Sequence, residues 1–161
     1  MILKNGLKTA GKIEIEASSA GTIKSGRIVC QELDINSSSA GQTIIKKAEC
    51  QSIETNASSA GKIEIEELMA DRVTSEASSA GHVSLNGKCI QAELNASSGA
   101  NIQAAELQAF QVEAEASSAG NISCHATQSL KASTSSAGNV NYKGNPNEIE
   151  HSPKSGLNKL D

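Results

Sequence analysis

Acidic side chains recur at two positions of a repeated pattern, where they could bind a cation or a positively charged partner. Eight of the 18 acidic residues fall at these two positions, together with a single base, Lys131. The eight acids are Glu14, Glu16, Asp34, Glu54, Glu76, Glu93, Glu113 and Glu115. Carboxylate oxygens are the ligands that Ca²⁺ prefers, although the chain lacks a GGxGxD calcium repeat.

Two interpretations of these acids stay open. Two like charges about 4.8 Å apart in water repel each other by about 0.9 kcal/mol, and salt weakens the repulsion. A stack of carboxylates is therefore tolerable without a bound ion, and a solvated acidic face is the simpler interpretation. The alternative is a face that binds Ca²⁺ weakly or receives a cationic partner.

The four cysteines and three histidines show neither a CxxC motif nor metal-ligand spacing. Cys30 and Cys50 occupy equivalent places in neighbouring repeats, so a disulfide between them is geometrically conceivable. Stacked side chains usually point the same way, however, and small buried cysteines are common, so both interpretations stay open. No Ser-His-Asp arrangement can be argued. We therefore expect no enzyme, no catalytic residue, no metal site built from histidine, and no cofactor.

Composition narrows the class of protein further. The 161 residues suit one domain, and the net charge of −4 has the wrong sign for nucleic acid. No apolar run approaches the roughly 20 residues of a transmembrane segment, and the first residues do not resemble a signal peptide. Phe110 and Tyr142 are the only aromatic residues, so the core must be built from Ile, Val, Leu and Ala. The scarcity of aromatic rings also weakens a lectin interpretation.

A repeat of about 20 residues organises the chain and must position these side chains. Each copy contains a Ser-Ser pair, followed after one residue by a small residue. These small residues are Gly21, Gly41, Gly61, Gly81, Ala100, Gly120 and Gly138. Apolar and polar residues alternate on both sides of the pair, as in IEIEASSAGTI at 13–23, which indicates half-buried strands. Helical periodicity and regular hairpin turns are both missing.

The remaining solution is an all-β coil, a parallel β-helix or β-solenoid of about seven rungs. We expect residues 1–143 to form this coil. Residues 144–161, with Pro146 and Pro153, break the pattern and are expected to cap the last rung. The first eight residues look too short and polar to cap the first rung. That end is then either covered by residues missing from this chain or used for self-association.

The recurrent Ala-Ser-Ser-Ala-Gly is best interpreted as the corner of each coil. Small residues let stacked corners nest, and glycine accepts backbone angles that other residues resist. Three departures from the repeat occur close together: Asn86-Gly87, a one-residue loss near Ala92, and the altered corner at 98–101. They are expected to form a bulged loop, or else a recognition loop in an otherwise uniform rod.

The repeated S-S-A-G-x-[IV], with Gly138-Asn139-Val140-Asn141-Tyr142-Lys143-Gly144-Asn145-Pro146, closely resembles the bacterial putative auto-transporter adhesin family, head GIN domain. The likeness covers about 9–161. It implies a right-handed parallel β-helix that is usually exported to the cell envelope. Family members typically carry a leader and further strands before the repeats, so we expect that this chain lacks its natural N-terminal part.

The leading functional hypothesis is a non-enzymatic structural or adhesive module associated with the cell envelope or surface. Its partners would be surface glycans or proteins, or a second copy through the open N-terminal rung. The alternative is a bactofilin-like scaffold that polymerises end to end. No ligand can be named from the sequence.

Overall fold

The computed structural model of the chain describes residues 2–3, 6–152 and 156–160. The described residues form one 12-stranded sheet and no helix, which confirms the predicted all-β solenoid. The strands are β1 (Ile2–Leu3), β2 (Leu7–Lys8), β3 (Lys12–Ala17), β4 (Thr22–Ser37), β5 (Gln42–Ala57), β6 (Lys62–Ala77), β7 (His82–Ala96), β8 (Asn101–Ala116), β9 (Asn121–Thr134), β10 (Asn139–Lys143), β11 (Glu148–Ser152) and β12 (Leu157–Lys159).

Each complete turn of the coil is one long strand with two bends. In β6, buried and more exposed residues alternate except at 66–67 and 71–72, where two exposed residues follow each other. Because successive side chains of a strand point to opposite faces, the alternation restarts at each of these pairs. The strand is thereby divided into three straight sides whose apolar residues face a common interior. The Ala-Ser-Ser-Ala-Gly corner joins the third side to the next turn.

Successive turns stack in parallel, and β4 to β9 each pair with the strand before and the strand after. The coil has about eight turns, one more than the seven rungs predicted. The difference arises because corners separate turns. The strands before the first corner and those after the last corner each contribute a turn of their own.

The shortened turns lose residues at a bend between straight sides. β7 lacks one residue between Leu85 and Gly87 relative to β6, so the loss lies there rather than near Ala92. β9 loses more: Cys124 pairs with Ala104 but His125 pairs with Gln108, so residues 105–107 have no counterpart, and one extra residue then lies between Ala126 and Ser129. Pairing resumes beyond each shift, but the interior column that includes Leu107 has no counterpart in β9.

Large and small side chains alternate along one interior column. The column runs through Ile28, Ala48, Leu68, Gly87 and Leu107, and each residue pairs with the next. Leu68 is 1 % exposed. A Cβ added at Gly87, where φ is +136°, would lie 2.0 Å from the carbonyl oxygen of Leu68. The interior is therefore filled by interdigitation between turns as well as within them.

The corner is a two-residue turn with both central residues in the left-handed conformation. In the third corner φ is 49° at Ser59 and 63° at Ala60, and Gly61 N–H donates to Ser58 C=O at 2.8 Å. These are the features of a type I′ turn, which ordinarily favours Asn-Gly. Hydrogen bonds between turns extend the ladder through the corner, as from Ala60 N–H to Ser79 C=O at 3.1 Å.

Glycine in the corner has a different role from the one expected from the sequence. The left-handed angles belong to serine and alanine, whereas Gly61 has no positive φ. A Cβ at Gly61 would lie 1.9 Å from the carbonyl oxygen of Ser37 in the preceding turn. Glycine is required because two backbones approach closely there. The corner at 97–100 reverses the order, with Gly99 at φ 72° and buried Ala100 at the close approach.

The C-terminal residues continue the stack. β11 pairs in register with the third side of β9, and β12 pairs with β10, which in turn lies on the first side of β9. The interior side of β10 carries the buried Val140, and Leu157 packs against the hydrophobic core. Residues 153–155, including Pro153, lie outside the described residues.

Candidate functional site

The predicted acidic positions lie in two adjacent columns on the outer surface of the third side of each turn. We call this surface, formed by residues 12–17 and their register equivalents, the acidic face. The first column is Glu14, Asp34, Glu54, Thr74, Glu93, Glu113, Lys131 and Glu150. The second is Glu16, Asn36, Asn56, Glu76, Asn95, Glu115, Ser133 and Ser152. The parallel register therefore aligns all eight predicted acids along the rod axis.

Two lysines neutralise part of the charge of the first column. Lys12 Nζ lies 3.1 Å from Glu14 Oε1 and also bridges to Asp34, and Lys131 Nζ lies 3.0 Å from Glu113 Oε1. Hydrogen bonds to Asp34 and then to Glu14 raise the pKa of Lys12, and the hydrogen bond to Glu113 raises the pKa of Lys131. These pairs are solvent-exposed and contribute little to stability.

No cation site follows from this arrangement. Within the part of the chain that the structure describes, no three His, Cys, Asp or Glu side chains converge closely enough to hold a metal ion. Thr74 separates Glu54 from Glu93 in the first column, and asparagines at 36, 56 and 95 separate acids in the second. Weak binding of Ca²⁺ and simple solvation of the face therefore both stay predictions.

A groove of about 500 Å³ runs lengthwise over the acidic face between β6 and β11. We call it the long groove. One wall carries Arg72, Gln91 and Gln111, and the opposite wall carries Glu93, Glu113 and Lys131. The floor lies between the walls at Ala92, Val112 and Leu130, whose side chains are buried. Because these residues come from successive turns, the groove follows the rod axis.

The polar groups of the long groove repeat from turn to turn. Gln91 Nε2 donates to Gln111 Oε1 at 3.1 Å, and the Arg72 guanidinium donates to Gln91 Oε1 at 3.5 Å. Donors and acceptors thus recur about every 4.8 Å along the axis, which is the spacing between parallel strands. No histidine or cysteine lines the long groove. This arrangement suits non-covalent binding of an extended polar chain.

Sequence reasoning found one wall of the long groove and missed the other. Glu93 and Glu113 belong to the predicted acidic columns, whereas Arg72, Gln91 and Gln111 were not singled out. They form a third outward column, immediately before the first apolar position of each repeat. Its members are Lys12, Glu32, Ser52, Arg72, Gln91, Gln111, Ser129 and Glu148. The mixture of residue types hid the column, although its fixed place in the repeat was available as a signal.

The histidines lie apart from this site and from one another. His82 begins β7, His125 lies within β9 near a bend, and His151 pairs with Ala132 near the C-terminal end. All three are partly buried, and burial lowers the pKa of His82. They build no site in the described residues.

Cys30 and Cys50 come closer together than simple stacking requires. They are register partners, both are buried, and their Sγ atoms lie 3.0 Å apart. Burial raises the pKa of Cys30 and raises that of Cys50 to about 12. Cys89 and Cys124 are also buried, and burial raises the pKa of each to about 12.

Fold and surface together define a β-solenoid protein that carries an open polar groove along the rod. Residues 43–146 match the model of the family described as putative auto-transporter adhesin, head GIN domain. The chain belongs to that family, which confirms the resemblance seen in the sequence. No curated protein matches the chain.

Several solved structures share the fold. A crystal structure of a putative lipid binding protein from Parabacteroides distasonis is 25 % identical with a TM-score of 0.78, and the match covers 93 % of this chain and 61 % of that one. A putative adhesin from Parabacteroides merdae is 15 % identical with a TM-score of 0.70, covering 99 % and 92 %. A putative adhesin from Bacteroides fragilis is 19 % identical with a TM-score of 0.70, covering 98 % and 90 %.

The family and two of these neighbours are described as putative adhesins, and the third neighbour as a putative lipid binding protein. Membership of a putative adhesin family suggests a surface or envelope location and a binding partner. None of the described residues belongs to a helix that is long and apolar enough to span a membrane.

Proposed function

We propose that this protein is a non-enzymatic, surface-associated adhesive rod that binds a neutral or cationic polyhydroxylated chain, such as an oligosaccharide, along the long groove. The observation that carries the proposal is the groove itself, whose amide and carboxylate groups recur from turn to turn. Successive sugar units offer hydroxyl groups at comparable intervals, and each hydroxyl can both donate and accept a hydrogen bond. The excess of carboxylates on the acidic face disfavours an anionic ligand.

The groove predicts a modest affinity for a single chain. Neither Phe110 nor Tyr142 lines it, so no aromatic ring is available to stack on a sugar. Hydrogen bonds to water must be exchanged for those to the ligand, and each such exchange contributes only about 0.5–1.5 kcal/mol. Adhesion would then depend on several rods or several groove segments acting together. No feature of the described residues favours the end-to-end scaffold over this function.

The proposal predicts that replacing both Gln91 and Gln111 with leucine weakens oligosaccharide binding about tenfold or more, because two hydrogen-bonding amides are lost. Binding is measured by isothermal titration calorimetry with three probes of equal length: neutral chito-oligosaccharides, cationic chitosan oligomers and anionic alginate oligomers. We expect the parent protein to bind the first two and to reject the third.

A matched control exists in the same molecule. Gln31 and Gln51 form the same type of amide pair, with Nε2 to Oε1 at 3.3 Å, but lie outside the long groove. Their double replacement by leucine should leave binding unchanged. Equal affinities of both double variants, preference for alginate, or failure of all three probes to bind would contradict the proposal.

A further inference from the structure

We infer that Cys30 and Cys50 are a built disulfide site: the two thiols are oxidised to a covalent bond that joins the second and third turns of the coil. The inference concerns the inside of the rod and does not rest on the proposed ligand of the long groove. It starts from the register, because Cys30 is the direct partner of Cys50 in adjacent parallel strands. Such partners have Cα atoms about 4.8 Å apart, within the range of about 4.4–6.8 Å found in disulfides.

The side chains lean toward each other rather than stacking at the strand spacing. The two Sγ atoms are 3.0 Å apart, whereas the strands that carry them are separated by about 4.8 Å. This distance is also shorter than the about 3.5–4.0 Å at which non-bonded carbon atoms pack best, although sulfur is the larger atom. Closing the remaining gap to a bond length of about 2.05 Å requires a movement of roughly 1 Å.

The rest of the same column shows that sulfur is not needed merely to fill the space. Glu49 pairs with Met69, which places Ala70 next to Cys50 in the column, and Cys89, Ala109 and Ala126 follow, so alanine fits this position in three other turns. Cys89 lies between Ala70 and Ala109, so it has no cysteine as a register partner. Two adjacent cysteines in a column that accepts alanine therefore point to a bond between them.

The chemistry is thiol–disulfide exchange with a disulfide oxidant, such as oxidised glutathione. One cysteine thiolate attacks the oxidant, forming a mixed disulfide and releasing one thiolate. The second cysteine thiolate then attacks the cysteine sulfur of the mixed disulfide and releases the other half of the oxidant. Two S–H bonds and the oxidant's S–S bond are exchanged for one protein S–S bond and two small thiols. Such bonds persist in oxidising compartments, including the bacterial cell envelope.

Burial controls the rate of this reaction. Each cysteine is 8 % exposed, and burial raises the pKa of Cys30 and raises that of Cys50 to about 12. The thiolate is the reactive form, so its fraction at neutral pH is small in the folded protein and increases as pH rises toward the pKa. Oxidation should therefore be slow once the protein has folded, accelerate with pH, and proceed readily during folding.

The test is to refold the protein from denaturant in a buffer of reduced and oxidised glutathione, and then to digest it with trypsin after blocking the remaining thiols. Cys30 lies in tryptic peptide 28–46 and Cys50 in peptide 48–62, whereas Cys89 and Cys124 share peptide 89–131. We expect mass spectrometry to find 28–46 linked to 48–62, with two thiols titrating in denaturant instead of four. Reduction should lower the melting temperature.

Two variants, each with one cysteine replaced, distinguish a specific Cys30–Cys50 bridge from general oxidation. Cys50→Ala should abolish the effect of oxidation on the melting temperature, whereas Cys89→Ala should retain it, and both place alanine where the column already accepts it. Closing a loop of about 20 residues stabilises the folded state by a factor of a few hundred on the chain-entropy estimate. Four free thiols after refolding, a link to peptide 89–131, or an unchanged response in Cys50→Ala would overturn the inference.

Discussion

Replacing Gly61 with alanine is expected to destabilise the solenoid by about 3 kcal/mol, at the upper end of the usual cost of overpacking. The added Cβ would lie 1.9 Å from the carbonyl oxygen of Ser37 and 2.9 Å from that of Ser58. Both obstacles are backbone atoms, one of which belongs to the adjoining turn, so no flexible side chain can move aside. The change would be measured from urea denaturation followed by circular dichroism.

The same chain provides a glycine, Gly99, at which replacement by alanine is expected to have little effect on stability. Gly99 has φ +72°, but a Cβ there would meet nothing within 4 Å, and the other corners carry alanine at φ 62–64°. Gly99→Ala should change the stability by no more than about 1 kcal/mol, because left-handed strain and reduced freedom of the unfolded chain roughly cancel. Equal losses in Gly61→Ala and Gly99→Ala would show that the close approach is not the cause.

A double variant tests why Ala100 is accepted at a close approach. In its corner the preceding residue is glycine, which can adjust its backbone angles freely. Exchanging the pair in the third corner, Ala60→Gly with Gly61→Ala, should therefore recover a substantial part of the lost stability. Strictly additive effects of the two substitutions would refute this explanation.

Replacing Leu68 with alanine should cost about 4 kcal/mol, in the upper half of the range of about 2–5 kcal/mol for such changes. Leu68 is 1 % exposed and stands between Ala48 and Gly87 in its column. Neither neighbour has a side chain long enough to enter the space that is left. Three successive small residues would then create a cavity spanning three turns, and the free energy of unfolding would report its cost.

Met69 supplies the control, since it is the next residue of the same strand and is 59 % exposed. Met69→Ala should change stability by no more than about 0.5 kcal/mol. Introducing Ala48→Leu into the Leu68→Ala variant should restore part of the loss by refilling the column from the neighbouring turn. A loss near 1 kcal/mol in Leu68→Ala, or no recovery with Ala48→Leu, would mean that the column collapses around the missing side chain.

The fold could be predicted from the sequence because every turn repeats the same pattern of small and alternating apolar residues. A single alternating segment such as Lys62–Ala77 would be compatible with many sheets, but repetition at a nearly constant interval leaves stacking as the solution. The two bends were not foreseen. Their signal is a pair of adjacent polar residues, as at 66–67, where the alternation breaks and restarts shifted by one position.

The roles of individual corner residues could not be derived from composition. Glycine is so often used for unusual backbone angles that Gly61 was assigned that role, whereas Ser59 and Ala60 carry the angles. The true constraint on Gly61 comes from the preceding turn, a contact that sequence reasoning cannot measure. The site divides similarly: a column of like charges is visible in the sequence, but a wall of dissimilar residues such as Arg72 and Gln91 is not.

The pairing of each turn only with the turns beside it also determines how the rod responds to load. A turn of about 20 residues adds about 4.8 Å to the folded rod, yet its extended chain spans roughly 65–70 Å. Pulling on the ends should therefore release turns one after another, and force spectroscopy should record repeated steps of about 60 Å. A rod that unfolds in this way would lengthen and dissipate energy before its attachment is broken.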